Sequence, residues 1–502
     1  MHFIHYVKEV KKLAGQTLIY GLGTIVPRFL NYAVLTWFYT RIFIDTRDYG
    51  VVTELYAWMA VLLVVLTYGM ETGYFRFVQN KGDAEKIYSA ALISLFTTSA
   101  IFIVLVNIFI APVSAVMNYS DNPDYIRMFA VIVAVDAFSA IPFARLRQES
   151  KPLQFSIIKI ANVLITIGLV VFLLKIAPNI YQNSTGWFRD FYNPDYKVGY
   201  IFVANLISSV ATMIMLLPVI LKANFSFDIS LWKRMFGYSL PLLIAGLSGS
   251  INDVIDKILI RRIIGADEGL AILGKYGAAY KIAVLMALFI QMFRFAAEPF
   301  FFERASHKDA KQTYAFVMKY FIIVMLMVFL GINLYISGIQ YILGENYRDA
   351  LVVVPIISMG YLLYGIYLNH SIWYKLNDLT RYAIYITLIG TVITVLINSL
   401  FIPVFGYMAS AWAHVASYGA MIIFSFLFAE KHFKVNYEMY KMVPYFIIAI
   451  AMTIFAGYFK YKNLAFELVI NTLLMLAFVG YAQYKDGILT LIFSKDGNKN
   501  NK

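Results

Sequence analysis

Apolar runs of about 20 residues recur from end to end of the 502-residue chain, and short polar stretches holding most of the charges separate them. A run of that length is what an α-helix needs to cross the hydrocarbon core of a membrane. The pattern predicts fourteen spanning helices, near residues 17–43, 51–77, 87–110, 126–146, 153–177, 198–221, 237–262, 272–300, 314–340, 350–373, 381–402, 406–429, 442–459 and 464–484. The predicted fold class is all-α and polytopic, with connections too short to hold a soluble domain. The opening segment, MHFIHYVKEVKKLAG, runs into the first apolar stretch without a small-residue cleavage pattern, so it reads as a retained first helix.

The chain also repeats itself. At an offset of 227 residues Tyr49-Gly50 meets Tyr276-Gly277 and Glu71 meets Glu298, while the flank RIFIDTRDYG resembles RRIIGADEGLAILGKYG and ETGYFRF resembles EPFFFER. At an offset of 207, Gly199-Tyr200 and Ala204 fall on Gly406-Tyr407 and Ala411. Six spans separate each pair, an even number, which makes the halves parallel repeats about an axis along the membrane normal. The predicted organisation is an N-terminal lobe of helices 1 to 6 (residues 1–222) and a cytoplasmic linker (223–235). A C-terminal lobe of helices 7 to 12 follows (236–430), then two extra helices, 13 and 14, with a cytoplasmic tail (431–502).

Composition narrows the chemistry. Apolar residues make up 61% of the chain and charged residues 14%, against nearer half and a quarter in soluble domains. Cysteine is absent, which removes thiol nucleophiles, disulfides and thiolate metal sites. The six histidines are scattered, with no HxxxH spacing and one HxxH, His2 to His5, in the opening segment, so neither a metal site nor a cofactor is expected. The net charge of +13 follows topology and gives no reason to expect nucleic acid. Of the 42 Lys and Arg, 25 fall on the side of the amino terminus and 12 on the opposite side, which by the positive-inside rule places both termini in the cytoplasm.

Certain segments are more specific than the helix count. GQTLIYGLGTIVPRFLNY, YTRIFIDTRDYGVVTELYAW and LTYGMETGYFRF, with NDVIDKILIRRIIG and GKYGAAYKIAVLMALFIQMFRFAAEPFFF in the second half, resemble the prokaryotic polysaccharide flippases of the multidrug/oligosaccharidyl-lipid/polysaccharide exporter superfamily, in their O-antigen and capsule type from Bacteroidetes. The resemblance implies a multi-pass protein of the bacterial cytoplasmic (inner) membrane. Its implied task is to flip a polyprenyl-pyrophosphate-linked oligosaccharide, an O-antigen, capsule or exopolysaccharide repeat unit, to the outer leaflet by alternating access. A proton or sodium gradient as driving force, membrane lipids and a glycan polymerase of the same pathway as partners, and a groove for the lipid tail on helices 13 and 14 are implied with it.

Ionisable groups inside spans cost about 2.5 to 3.5 kcal/mol each, so a cluster of them points to a water-filled cavity. Thr24, Arg28, Asn31 and Leu35 share one face of helix 1 just after Pro27. Arg28, Asn31, Lys257, Lys281 and Arg294 are the candidates for contact with a phosphate-bearing head group, since Arg and Lys suit that chemistry. In helix 7 the spacing of Asp253 and Lys257 allows an i,i+4 pair. That leaves Asp256 without a local partner and makes it the first candidate for ion coupling, ahead of Glu54 and Asp136. Asp136 is also readable as a structural pair with Lys159, and His414 as a core histidine. Glu71, Arg76 and Glu298, at the cytoplasmic ends of helices 2 and 8, are candidates for a gate. The spans hold five bases and six carboxylates, so a strongly cationic cavity is not implied and cation coupling stays open. The aromatic runs FRDFYNPDYKVGY and GYLLYGIYLNHSIWY suit sugar stacking or, more simply, interface belts.

A cation-coupled drug or metabolite exporter on the same fold is the nearest rival. An enzyme of the same glycan pathway is less favoured, because the longest external connection, residues 178–197, holds one Arg, two Asp and no His. The expectation is a transporter, not an enzyme.

Overall fold

The computed structural model describes residues 21, 23–79, 83–183, 186–305, 307–377, 379–459 and 463–488, apart from the side chains of Ala296 and Pro299. Every regular element among the described residues is helical. The long ones are α1 (23–42), α2 (Thr46–Gln79), α3 (Ala84–Ile108), α4 (Pro123–Gln148), α5 (Pro152–Asn183), α6 (Gly199–Ile220) and α7 (Ile229–Ile264). They continue as α8 (266–304), α9 (Ala310–Leu334), α10 (Glu345–Leu376), α11 (Arg381–Phe405), α12 (Tyr407–His432), α13 (Met439–Tyr458) and α14 (Leu464–Asp486).

Twelve of these, α2 to α6 and α8 to α14, are long and apolar enough to cross a membrane. The other two differ for visible reasons. The start of α1 lies outside the described residues, and the apolar run of α7 is interrupted by Asn252, Asp253, Asp256, Lys257, Arg261 and Arg262. The amino-terminal lysines, Gly82 and the tail beyond Ile488 also lie outside the described residues.

Helix starts follow side-chain caps. Asp45 accepts from the Arg47 N–H at 2.9 Å, Asp228 from those of Ser230 and Leu231 at 2.8 and 3.1 Å, and Asn463 from that of Ala465 at 2.9 Å, each satisfying donors that a helix start leaves open. The Asp228 cap explains why α7 begins at Ile229 rather than at the expected 237: its first two turns, ISLWKRMF, mix apolar residues with Ser230, Lys233 and Arg234 ahead of the longer apolar run. In α1 a π-turn at Asn31–Leu35 follows Pro27, which lacks the N–H that an α-helix would use there.

The chain divides into two compact units, Met1–Ala278 with Thr387–Ser410, and Ala279–Ile386 with Ala411–Lys502. In the first unit α2 and the start of α8 touch backbone to backbone. A Cβ on Gly50 would collide with the Leu270 carbonyl, and one on Gly274 with the Thr46 carbonyl, so the small residues permit an approach that dispersion then stabilises. A core of Tyr68, Tyr74, Tyr88, Leu92, Phe143, Leu146 and Met235 joins α2, α3, α4 and the start of α7. Its polar tips are satisfied: Tyr68 and Trp232 both reach Ser94 Oγ, at 2.5 and 2.7 Å, and Tyr88 donates to the Val219 carbonyl at 3.1 Å. The 387–405 part of α11 belongs to this unit through polar stitches. Thr391 donates to the Ser248 carbonyl at 2.8 Å, and Thr394 donates to Asn252 Oδ1.

The second unit packs around Trp373, which is fully buried, with Tyr367, Tyr374, Tyr418 and Met421. Ser425 Oγ takes the Trp373 N–H at 3.1 Å and pairs with His370 Nδ1 at 2.7 Å. Asp486 at the end of α14 ties that helix to α9 through Lys319 and to α13 through Tyr445. Asn471 adds a hydrogen bond to the Leu334 carbonyl at 2.6 Å.

Candidate functional site

Helix α7 carries a run of polar residues within its apolar stretch. Lys257 turns back along its own helix, placing Nζ 2.9 Å from the Asp253 carbonyl oxygen and 3.1 Å from Asp256 Oδ1. Tyr276 from α8 donates its hydroxyl to Asp256 Oδ2 at 2.6 Å. Asp256 is 1% exposed, Lys257 7% and Tyr276 0%. The expectation that Asp256 lacks a local partner is thereby corrected. Its partner is the neighbouring residue, because the long lysine stem reaches back over the preceding turn. Lys257, expected at the head group, has its ammonium engaged with Asp256.

Helix α1 brings the expected polar stripe alongside. Arg28 is exposed and Asn31 half-buried, and Tyr32, one position on, lies within electrostatic reach of both Arg28 and Asp253. Lys159 on α5 is within reach of Arg28, Asp136, Glu71 and Arg147, and its ammonium lies 4.0 Å from the centre of the Phe143 ring. Asp136 on α4 hydrogen-bonds with Ser209 on α6 and faces Lys159 electrostatically. The first unit therefore places Arg28, Tyr32 and Asp253 near one another, and separately places Lys159 near Arg28 and Asp136.

Glu54 stands apart from that group. It forms an ion pair with Arg261 of α7, with the two side chains 1% and 3% exposed, and accepts from the Tyr119 hydroxyl at 2.7 Å. Arg261 also donates to the carbonyls of Met117 and Asn118, at 3.2 and 3.0 Å, and Arg262 to that of Val116 at 2.6 Å. The result is a buried clasp fastening α2, α7 and the 109–122 connection. Sequence reasoning placed Glu54 among the coupling carboxylates and missed Arg261 and Tyr119. Residues 207 positions apart leave no spacing signal, and Arg261 reads as an ordinary basic residue near a helix end.

The gate candidates resolve into pairs within each unit. Glu71 pairs with Arg147 at the end of α4, and Arg76 is exposed. In the second unit Glu298 is held by Lys375 at 2.7 Å and by Arg294 at 3.2 Å. Arg147 and Lys375 were not singled out by sequence, although each ends the fourth helix of its repeat. Lys281 lies half-buried on α8, directly after Tyr280, which packs against His414 with ring centres 5.7 Å apart. No group of three or more His, Cys, Asp or Glu is placed to hold a metal among the described residues.

A protein-family model described as polysaccharide biosynthesis protein matches residues 13–305. The chain belongs to that family. No curated protein matches the polysaccharide biosynthesis chain in sequence. Its fold matches that of "Lipid II flippase MurJ, inward closed conformation", with a TM-score of 0.67 over 93% of this chain and 99% of that one at 13% identity. It also matches "Crystal structure of MATE in complex with MaD3S", with a TM-score of 0.60 over 84% and 95% at 15% identity. A third match, "Crystal structure of MATE in the bent conformation", has a TM-score of 0.56 with coverage of 84% and 95% at 14% identity. This polysaccharide biosynthesis protein thus has the fold of the multidrug/oligosaccharidyl-lipid/polysaccharide exporter superfamily.

Proposed function

We propose that this chain flips a polyprenyl-pyrophosphate-linked oligosaccharide from the inner to the outer leaflet of the bacterial cytoplasmic membrane, with both termini in the cytoplasm. The observation that carries the reading is the family match over residues 13–305, supported by a fold shared over 93% of the chain with a protein described as a lipid II flippase. The physical task is to shield a charged, hydrated head group while the polyprenyl tail stays in hydrocarbon, so the carrier needs polar side chains inside its spans. Arg28 and Asn31 on α1, with Lys281 and Arg294 on α8, are assigned to the head group. Arg28 suits it best, being exposed on a helix face that also carries Asn31. A guanidinium can take two phosphate oxygens at once.

Coupling to a proton or sodium gradient is part of the proposal: Asp136 fits either ion, and Asp256, whose carboxylate already holds the Lys257 ammonium, fits a proton. Glu54 fits less well, since its buried partner is a guanidinium, which keeps its own proton. The same carboxylates favour the second reading, a cation-coupled drug or metabolite exporter. Deleting the gene in its host separates the two: a flippase loss traps a lipid-linked glycan in the cytoplasmic leaflet, and an unchanged surface glycan together with altered drug or metabolite efflux favours the exporter.

A further inference from the structure

The coupling carboxylate of α7 is already occupied by a cation, and the cation is part of the chain. Lys257 Nζ lies 3.1 and 3.4 Å from the two Asp256 carboxylate oxygens and 2.9 Å from the Asp253 carbonyl oxygen. The Tyr276 hydroxyl donates to Asp256 at 2.6 Å, and its ring centre lies 6.0 Å from the ammonium. Carboxylate and carbonyl oxygens on a buried wall are the ligand type that hard cations take. A primary ammonium carries one positive charge with three donors to spend on the same oxygens. Sharing a helix also keeps the ammonium at high effective concentration there, against which a dissolved ion must compete.

We infer that Lys257 is a tethered cation filling a monovalent-cation site built from Asp256, the Asp253 carbonyl and Tyr276. In the native protein free sodium is excluded from Asp256. Shortening Lys257 takes its ammonium away from a buried carboxylate, and the vacated site then takes sodium or a small alkylammonium ion. The inference deepens the coupling part of the proposed function and rests on that reading for its meaning in the cell. The test below contains no glycan, so its failure and that of the flippase reading are distinguishable.

The test is binding of radioactive sodium to the purified full-length protein in detergent at pH 8, with choline chloride as background. The wild type is expected to show no saturable sodium binding that depends on Asp256. Lys257→Ala is expected to gain it with at least tenfold higher affinity, to lose it again in Lys257→Ala/Asp256→Asn, and to release it to methylammonium. Lys257→Met, which keeps the apolar stem, serves if the alanine variant is not recovered. Its yield should rise when it is purified in sodium or methylammonium rather than choline. The inference is overturned if the lysine variants bind no more sodium than wild type, if the gain survives Asp256→Asn, or if yield is equally poor in every salt. Wild-type sodium binding abolished by Asp256→Asn overturns it as well.

Discussion

The two halves of the chain repeat one ion pair and diverge at another. Glu71 pairs with Arg147 in the first unit and Glu298 with Lys375 in the second, the acids 227 residues apart and the bases 228. The side chains are comparably open to solvent, 39% and 36% in the first pair and 37% and 26% in the second. The same offset carries Glu54 onto Lys281, and there the likeness ends. Glu54 is sealed against Arg261, whereas the second half has a half-buried base at that register. Half-open pairs at helix ends are cheap to break, while a sealed pair is costly to disturb. The repeat thus keeps separable contacts at its ends and gives its interior positions unlike charges.

The largest effect should come from the sealed pair. Arg261→Met leaves Glu54 charged and buried and frees the Met117 and Asn118 carbonyls, so we expect a loss of about 3–5 kcal/mol, read as a lower thermal midpoint in detergent. Glu54→Gln should cost less, because Arg261 keeps those carbonyls. A Glu54→Gln protein as stable as wild type would dissolve the contrast between sealed and open pairs. Gly274→Val comes next. Its side chain must enter the space of the Thr46 carbonyl, which should lower stability by about 1–3 kcal/mol, whereas Gly249→Ala, with nothing within 4 Å of an added Cβ, should be nearly neutral by the same assay.

The open pairs should respond weakly and alike. Glu71→Gln and Glu298→Gln are each expected to cost under about 1 kcal/mol, and a clear difference between them would show that the two ends are not equivalent. Glu149 sharpens the same point through pH. Burial pushes its carboxyl up, but hydrogen bonds from Arg145 and Lys151 outweigh this and hold it below the usual carboxylate range. A depressed carboxyl stabilises the fold above its ordinary value and loses that contribution as pH falls through the lowered one. Wild type should therefore exceed Glu149→Gln by at most about 1 kcal/mol near neutrality, and the gap should close below about pH 4.

Much of the fold is legible because each span needs its own apolar run. The predicted helix at 381–402 appears as Arg381–Phe405, and that at 464–484 as Leu464–Asp486. The start of α7 is misplaced because the Asp228 cap, a local hydrogen bond, starts the helix on the mixed stretch ISLWKRMF ahead of its longer apolar run. Side-chain pairing is less legible. Helical spacing points Lys257 toward Asp253, yet the Lys257 stem is long enough to place its ammonium on the neighbouring Asp256 carboxylate as well as the Asp253 carbonyl. The Glu54–Arg261 contact depends on how α2 and α7 pack, which periodicity does not encode. The Glu71–Arg147 and Glu298–Lys375 pairs were findable, since extending the 227-residue offset to basic residues brings Arg147 next to Lys375.

The most direct test of the proposed function is leaflet exchange of the lipid itself. Purified protein is reconstituted into vesicles with a polyprenyl-pyrophosphate-linked oligosaccharide in both leaflets, and a membrane-impermeant oxidant of sugar diols is added outside. With wild-type protein the whole glycan pool should be oxidised, and with Arg28→Ala only the outward-facing share. If wild-type vesicles oxidise no more than protein-free vesicles while the protein remains folded, the chain does not flip such a lipid and the account is contradicted.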